Sequence, residues 1–388
     1  MSEVAQVPQL RFPEFSGEWE EKRFDSLYPT VRNGFVGVAT PYYVEEGVPY
    51  LQGKNIKSGA INRNGLVYIN ESFHQKSKKS QLRQNDIVMV QSGHVGECAV
   101  ITEEFEDTNC HALLVSTPTH DIDSKFYINY FYSKFGRKKI YRITTGNTIK
   151  HILSSDLKIQ TVSNPSYQEQ QKIAAFLAAV DSKIEQLSKK QALLGEYKKG
   201  LMQQIFSQVT RFKADDGCDF PDWEEKKLGD VSVRGTSNIS ANQLEDNNGD
   251  YKIYGAAGHL KNIDFYTEED CYVAIVKDGA GVGRIMLLES KTSVLGTLAI
   301  IKAKQGNDIN FLYWLIQTIN FRKYVVGSTI PHIYYRDYQA EKLRIPSLSE
   351  QTKIANFLSF IDSKIEQVGK QLDESKQFKK ALLQQMFV

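Results

Sequence analysis

The sequence predicts an α+β chain built twice: two α+β units in tandem, each followed by a long helix. The two helices are expected to pair as an antiparallel coiled coil with pseudo-twofold symmetry. Three observations carry this reading. Pro165 to Phe206 returns as Pro346 to Phe387 with no residue gained or lost, so Glu169 matches Glu350, Asp181 matches Asp362 and Phe206 matches Phe387. Within each copy, apolar residues recur at alternating spacings of four and three, the seam of a coiled coil. The segments ahead of the two copies share an order of elements but little sequence. A long internal repeat of this kind sets the frame for every local feature.

In the first copy the seam reads Ile173, Leu177, Val180, Ile184, Leu187, then polar Gln191, Leu194, polar Lys198, Leu201 and Ile205. In the second it reads Ile354, Leu358, Ile361, Ile365, Val368, Leu372, Ser375, Lys379, Leu382 and Met386. These residues are candidates for helix packing and a subunit interface. Each helix opens with a serine, Ser166 or Ser347, and a glutamate three residues on, Glu169 or Glu350, which spells a capping box. Pro165 and Pro346 hold the entering chain extended. A helix of this length spans roughly 60 Å at 1.5 Å per residue. Such a stripe cannot be left in water, and the simplest cover for one is the other. The long connection permits either direction; antiparallel pairing follows if the globular units sit at opposite ends.

A chain of 388 residues predicts two or three domains. The expected boundaries are 1–164 and 209–345 for the α+β units, with 165–208 and 346–388 for the helices. No run of eighteen apolar residues exists, so no membrane span is expected. The opening MSEVAQVPQL lacks the pattern of a secretory signal. Cys98, Cys110, Cys218 and Cys271 lie far apart, without a C-x-x-C pair. They read as reduced thiols of a cytoplasmic protein rather than a metal site. With a net charge of +2, any nucleic-acid surface must be local.

In the first unit the runs beginning at Ile87, Ala99 and Leu113 read as buried strands, with Gly93 and Gly96 marking a turn. Lys125 to Arg142 reads as a helix, and Lys158 to Val162 as extended. In the second unit the same order returns. Trp223-Glu-Glu-Lys-Lys-Leu228 echoes Trp19-Glu-Glu-Lys-Arg-Phe24, and the run at Tyr272 echoes that at Ile87. A helix is expected around Phe311 to Tyr324. Gly327-Ser-Thr-Ile-Pro-His-Ile333 matches Gly146-Asn-Thr-Ile-Lys-His-Ile152 at the displacement of the helices.

Fragments that imitate catalytic motifs fail on spacing. Asn164-Pro-Ser-Tyr167 lacks the second proline of a methyltransferase N-P-P-Y loop, and no glycine-rich cofactor loop precedes it. Gly279-Ala-Gly-Val-Gly283 lacks the spacing that cradles a pyrophosphate and reads as a turn between strands. Gly195 to Gly200 is followed by leucine where a phosphate loop needs lysine. The carboxylates near Pro221 are too close in sequence to come from separate strands of a nuclease site. The histidines show no ligand spacing. No catalytic residue and no metal site are expected.

What remains are polar and basic residues in glycine-punctuated loops, suited to anchoring phosphates and reading base edges. In the first unit these are Gln52, Lys54, Asn55, Lys78, Lys79, His94, Arg137, Lys138, Lys139, Asn147, Lys150 and His151. In the second they are Arg234, Asn238, His259, Lys277, Arg284, Arg322, Lys323, His332 and Arg336. Other readings of the chain are a coiled-coil scaffold joining two protein-binding modules, or a stand-alone DNA methyltransferase or nuclease.

Two copies of PS-x-x-EQ-x-KIA-x-FL…DSKIEQ…KK-x-L-x-QQ-x-F, each after a diverged unit that opens with W-E-E-K, resemble the specificity subunit of type I restriction–modification enzymes. The resemblance covers essentially the whole chain. It implies two target-recognition domains, each reading half of a bipartite asymmetric sequence in double-stranded DNA. It also implies assembly with two methyltransferase (modification) subunits into an adenine methylase, and with two restriction subunits that translocate and cut. S-adenosylmethionine, ATP and Mg²⁺ would be bound by those partners and no cofactor by this chain. The base-reading residues do not carry over, because recognition domains diverge within the family.

Overall fold

The computed structural model describes residues 6–244 and 249–388, so the first five residues of the opening stretch lie outside the described residues. Two compact units result, one comprising the chain to Ser188 together with Lys370–Val388, the other Lys189–Gly369. Each unit therefore holds a head, the start of the helix that follows it, and the end of the other helix.

The first head is organised by an antiparallel sheet in the order Thr30–Asn33, Leu113–Thr117, Ile87–Val90, Cys98–Val100. Its central strands are apolar without alternation because both faces are covered. Ile87, Met89 and Leu114 join the core under the helices, while Val88, Val90 and Val115 join a second cluster with Leu51 and Phe105. The second head repeats the sheet as Ser232–Thr236, Leu298–Ala303, Tyr272–Val276, Ile285–Leu288. There Val273 and Ile275 face one cluster, and Tyr272, Ala274 and Val276 the other. The W-E-E-K segments are strands: Glu20–Arg23 pairs antiparallel with Thr161–Asn164, and Glu224–Lys227 with Lys342–Ile345.

Three elements depart from expectation. Lys125 to Arg142 is two helices, Ser124–Tyr132 and Lys134–Arg142. Ser133 ends one and caps the next, its extended ψ of 164° breaking the spiral while its Oγ accepts from the Gly136 N–H at 3.1 Å. The helix expected to reach Tyr324 stops as Ile309–Ile316, and a short 3-10 turn, Phe321–Tyr324, follows. Lys158 and Ile159 close a short helix, Ser154–Ile159, and only from Thr161 is the chain a strand.

The repeats form helices Tyr167–Phe206 and Leu348–Gln385. In the first unit the chain runs from Ile173 up to Asp181 while the other helix runs from Lys379 up to Met386 beside it, in the opposite sense. Asp181 receives the Lys379 ammonium at 2.6 Å. In the second unit Lys198 reaches Asp362 at 2.5 Å in the same antiparallel sense. The seam is covered throughout. Ile173, Leu177, Leu187, Ile354, Leu358, Ile361, Val368 and Leu382 are buried, and Val180, Ile184, Leu201 and Ile365 are half-buried.

Helix against helix is only part of that cover. Leu382, Met386 and Phe387 enter the core of the first head, where the Phe387 ring lies 5.3 Å from Phe126 and 6.3 Å from Trp19. In the second head Phe206, the matched residue, lies 5.9 Å from Phe311 and 6.4 Å from Trp223. Neither head has a complete core without the far end of the other copy's helix.

The capping boxes form only in part. The Glu169 N–H donates to Ser166 Oγ at 3.3 Å, but the Ser347 hydroxyl is buried without a hydrogen bond. Neither glutamate reaches back to its serine. Glu169 takes the Arg11 guanidinium on both oxygens, at 2.7 and 2.8 Å, and Glu350 takes Arg211 at 2.9 Å. The glutamine beside each does matching work. Gln170 accepts from the Asp123 N–H at 3.0 Å and Gln351 from the Asp308 N–H at 2.9 Å. Both glutamines also donate to the helix-entry proline carbonyl at 3.0 Å. The repeated Glu-Gln thus ties the start of each long helix to its own head.

Candidate nucleic-acid interface

The repeated G-x-T-I-x-H-I segment folds the same way in both heads. Thr145 and His151 exchange backbone hydrogen bonds at 2.8 and 2.9 Å, and Val326 and His332 do so at 2.9 and 2.8 Å. Gly146 and Gly327 turn the hairpins at φ +89° and +90°. A Cβ at either position would strike the carbonyl oxygen of Ile149 or Ile330, so the loop requires glycine.

Each hairpin is docked by its backbone onto the strand-to-strand turn. In the first head the Gly93 N–H donates to the Lys150 carbonyl at 3.1 Å and the Ile152 N–H to Gln91 at 2.9 Å. In the second, Gly279 donates to Pro331 and Ile333 to Lys277, both at 2.9 Å. Those turns end in Gly96 and Gly283, at φ +82° and +84°. Their missing side chains admit Ile140 and Phe321. Gly279 to Gly283 is therefore a turn between strands, as its spacing predicts.

On this shared frame the exposed side chains differ. In the first head Lys54, His94, Arg137, Lys138 and Lys150 line a single cleft of ≈ 1020 Å³, with Lys57 and Thr144. Lys54, His94, Lys138, Asn147 and Lys150 are exposed. Arg137 is half-spent: it donates to Glu97 at 2.9 Å and lies 4.4 Å over the Tyr132 ring. Burial pushes the Glu97 carboxyl up, but the Ser58 N–H, Arg137 and Tyr132 outweigh it and hold Glu97 below the ordinary carboxylate range.

Other candidates of that head serve its architecture. Asn55 is buried, accepting from the Gln52 N–H at 3.0 Å and donating to Asn62 at 2.9 Å. Half-buried Gln52 donates to the Tyr43 hydroxyl at 2.8 Å. Lys139 grips Glu21 at 2.6 Å and the Thr161 carbonyl at 2.9 Å, fastening its helix to the edge sheet. His151 is held against Ser92 Oγ at 2.6 Å. Lys78 and Lys79 are exposed on a 3-10 turn outside the cleft.

In the second head Arg234, Asn238, Arg322 and Arg336 are exposed, Arg336 lying 4.7 Å over the Tyr334 ring. Lys277 and His332 are half-buried beside the hairpin junction, with Lys277 3.6 Å from Asp278. Three candidates are engaged internally: Arg284 donates to the Ala256 carbonyl at 2.7 Å, Lys323 to Glu341 at 2.8 Å, and His259 shares a hydrogen bond with Asn262 at 2.9 Å.

Sequence reasoning missed Arg11 and Arg211 altogether. Their signal was a repeated Arg-Phe pair. Phe12 packs edge-on to Phe176 at 5.7 Å and Phe212 to Phe357 at 5.4 Å, beside the two arginine–glutamate pairs.

The family model of the type I restriction modification DNA specificity domain matches residues 16–194 and again 221–374. The chain belongs to this family. Among the relatives it is similar to is the type I restriction enzyme MjaX specificity subunit of Methanocaldococcus jannaschii, 24% identical over 98% of this chain and 94% of that protein. The MjaVIII specificity subunit of the same organism is also 24% identical, over 96% and 92% of the two chains. The fold is similar to that of the type I restriction–modification S subunit from M. genitalium, with TM-score 0.66 and 19% identity over 98% of this chain and 99% of that one. In specificity-family terms the two matched segments are tandem DNA specificity domains, and the chain is a DNA-specificity subunit whose partners are DNA and the other subunits of a restriction–modification complex. Among the described residues no helix is long and apolar enough to cross a membrane.

Proposed function

We propose that each head reads one half of a bipartite, asymmetric target in double-stranded DNA, and that the chain delivers that target to partner subunits. Those partners are two methyltransferase subunits, which modify adenine, and two restriction subunits, which translocate and cut. S-adenosylmethionine, ATP and Mg²⁺ belong to them. The chain itself holds no catalytic centre, and the complex works in the cytoplasm.

One observation carries this reading. The two heads share a frame down to the hydrogen bonds of the hairpin and its turn, yet the side chains displayed on it differ: Lys54, His94, Lys138 and Lys150 on one, Arg234, Asn238, Arg322 and Arg336 on the other. A common scaffold with different polar faces suits two readers of different half-sites. Filter binding of duplex DNA, with the chain alone and with its methyltransferase partner, tests it. Retention that is sequence-selective and falls steeply with salt is expected. An assembled complex that retains no duplex would leave the scaffold reading in its place.

A further inference from the structure

The two matched hairpins end in isoleucines that face water, Ile149 being 68% and Ile330 64% exposed. One exposed apolar side chain on a surface calls for no explanation. Two at matched positions do, because the heads around them have diverged while the loop keeps its Gly, Thr, Ile, His and Ile in both. The tips are also held firmly, each by a reciprocal backbone pair and two further hydrogen bonds to the adjoining turn. A tip common to both heads cannot distinguish two different half-sites. Its task is one that both half-sites need alike.

The surroundings indicate the partner. Lys150, next to Ile149, lines the cleft with Lys54, Lys57, His94 and Lys138, and the one carboxylate there, Glu97, is tied to Arg137. Such a field attracts a phosphate backbone rather than the apolar face of a protein. In the second head Ile330 is followed by Pro331, which extends the apolar tip. Proteins that deform DNA drive isoleucine, leucine or proline between base steps. Enzymes that modify a base first take it out of the stack.

We propose that Ile149 and Ile330 are paired wedges, each entering the base stack at its own half-site and filling the space left when the target base turns out towards the methyltransferase. The proposal rests on the DNA-reading function above, and adds a sequence-independent positioning residue to each head.

The test uses the full chain assembled with its methyltransferase subunits. The target is first obtained by mapping modified bases in cells expressing the complex. Synthetic duplexes then carry 2-aminopurine at the methylated position of one half-site or the other, and fluorescence reports extrusion. Ile149→Ala should cut the fluorescence gain several-fold at one half-site and leave the other untouched. Ile330→Ala should do the reverse, and Ile149→Met, still apolar and large, should retain the gain. Wild-type gains in both alanine variants would overturn the proposal, as would loss of the methyltransferase subunits from those variants in size-exclusion chromatography, which would make the tips a protein contact. A wild-type complex that binds the duplex without any fluorescence gain overturns the wedge but leaves DNA reading intact. Failure of the wild-type complex to bind the duplex overturns both.

Discussion

Lys379 meets Asp181 at 2.6 Å, and the residues that match them, Lys198 and Asp362, meet at 2.5 Å. One pair lies in each compact unit, so the repeat returns its own contact with donor and acceptor exchanged between the helices. These cations stand at seam positions where an apolar residue is expected, and the carboxylates explain why they are tolerated. All four groups are partly exposed, so each pair contributes only about 0.2–1 kcal/mol. A double-mutant cycle on Asp181→Ala and Lys379→Ala, read from urea midpoints, should give a coupling of that size. The cycle on Lys198 and Asp362 should agree with it. Absence of coupling at both pairs would count against the antiparallel register.

Phe387 is only 1% exposed and sits among Trp19, Phe126 and Tyr130. Phe387→Ala should therefore destabilise the first unit by about 3–5 kcal/mol through lost burial and a residual cavity. Hydrogen exchange would show protection falling in Ser124–Tyr132 while Ile309–Ile316 keeps its own. Equal loss in both helices, or none, contradicts the packing described. An excised first head, 1–164, should fold poorly for the same reason.

Consecutive lysines on one helix should behave oppositely. Lys138 is exposed in the cleft, whereas Lys139 is bound to Glu21 and Thr161. Lys138→Ala should weaken DNA binding across sequences and lower the slope of log K against log salt by about 0.9, the loss of one phosphate contact. Lys139→Ala should leave the slope alone and lower the unfolding midpoint. The reverse pattern would remove the cleft from the interface.

The same contact sets a pH dependence. The Lys139 hydrogen bond, with help from Thr161, holds the Glu21 carboxyl below its ordinary value of 4.5. A depressed folded pKa stabilises the fold above 4.5 and loses that contribution as pH falls through the lowered value. Glu21→Gln should thus be less stable than wild type at neutral pH, by at most about 1 kcal/mol for so exposed a pair. The gap should close in strong acid. Parallel urea midpoints for the two proteins at every pH would contradict it.

The helices, their seam and the central strands were legible because period and repetition are local properties of a sequence. What covers a seam is not. Alternating spacing marks Leu382 and Met386 as apolar-facing, but only tertiary structure places them under Trp19 and Phe126. The serine and the glutamate three residues on spell a capping box, yet a long-range arginine competes successfully for the carboxylate. Ser133 divides a helix because a serine hydroxyl can cap, a choice that helix periodicity does not reveal. Arg137, Lys138 and Lys139 are adjacent in the sequence and equal candidates there. Successive residues on a helix point about 100° apart, so Arg137 turns to Glu97, Lys139 to Glu21, and Lys138 alone is left wholly to solvent. The segment around His151 stands out by its repetition, but its hairpin pairing and the latch of that histidine on Ser92 depend on tertiary structure.

Division of labour between two heads is the central claim, and exchanging one head measures it. Residues up to Asn164 would be replaced by the matching segment of another family member. Keeping the helix from Pro165 onward and the terminal Phe387 preserves the packing on which the head depends. The chimera would be expressed with its methyltransferase subunits and the methylated positions mapped across the genome. A new sequence is expected in one half of the target and the original sequence in the other. Change in both halves, or in neither, by a chimera that assembles and methylates, would contradict it.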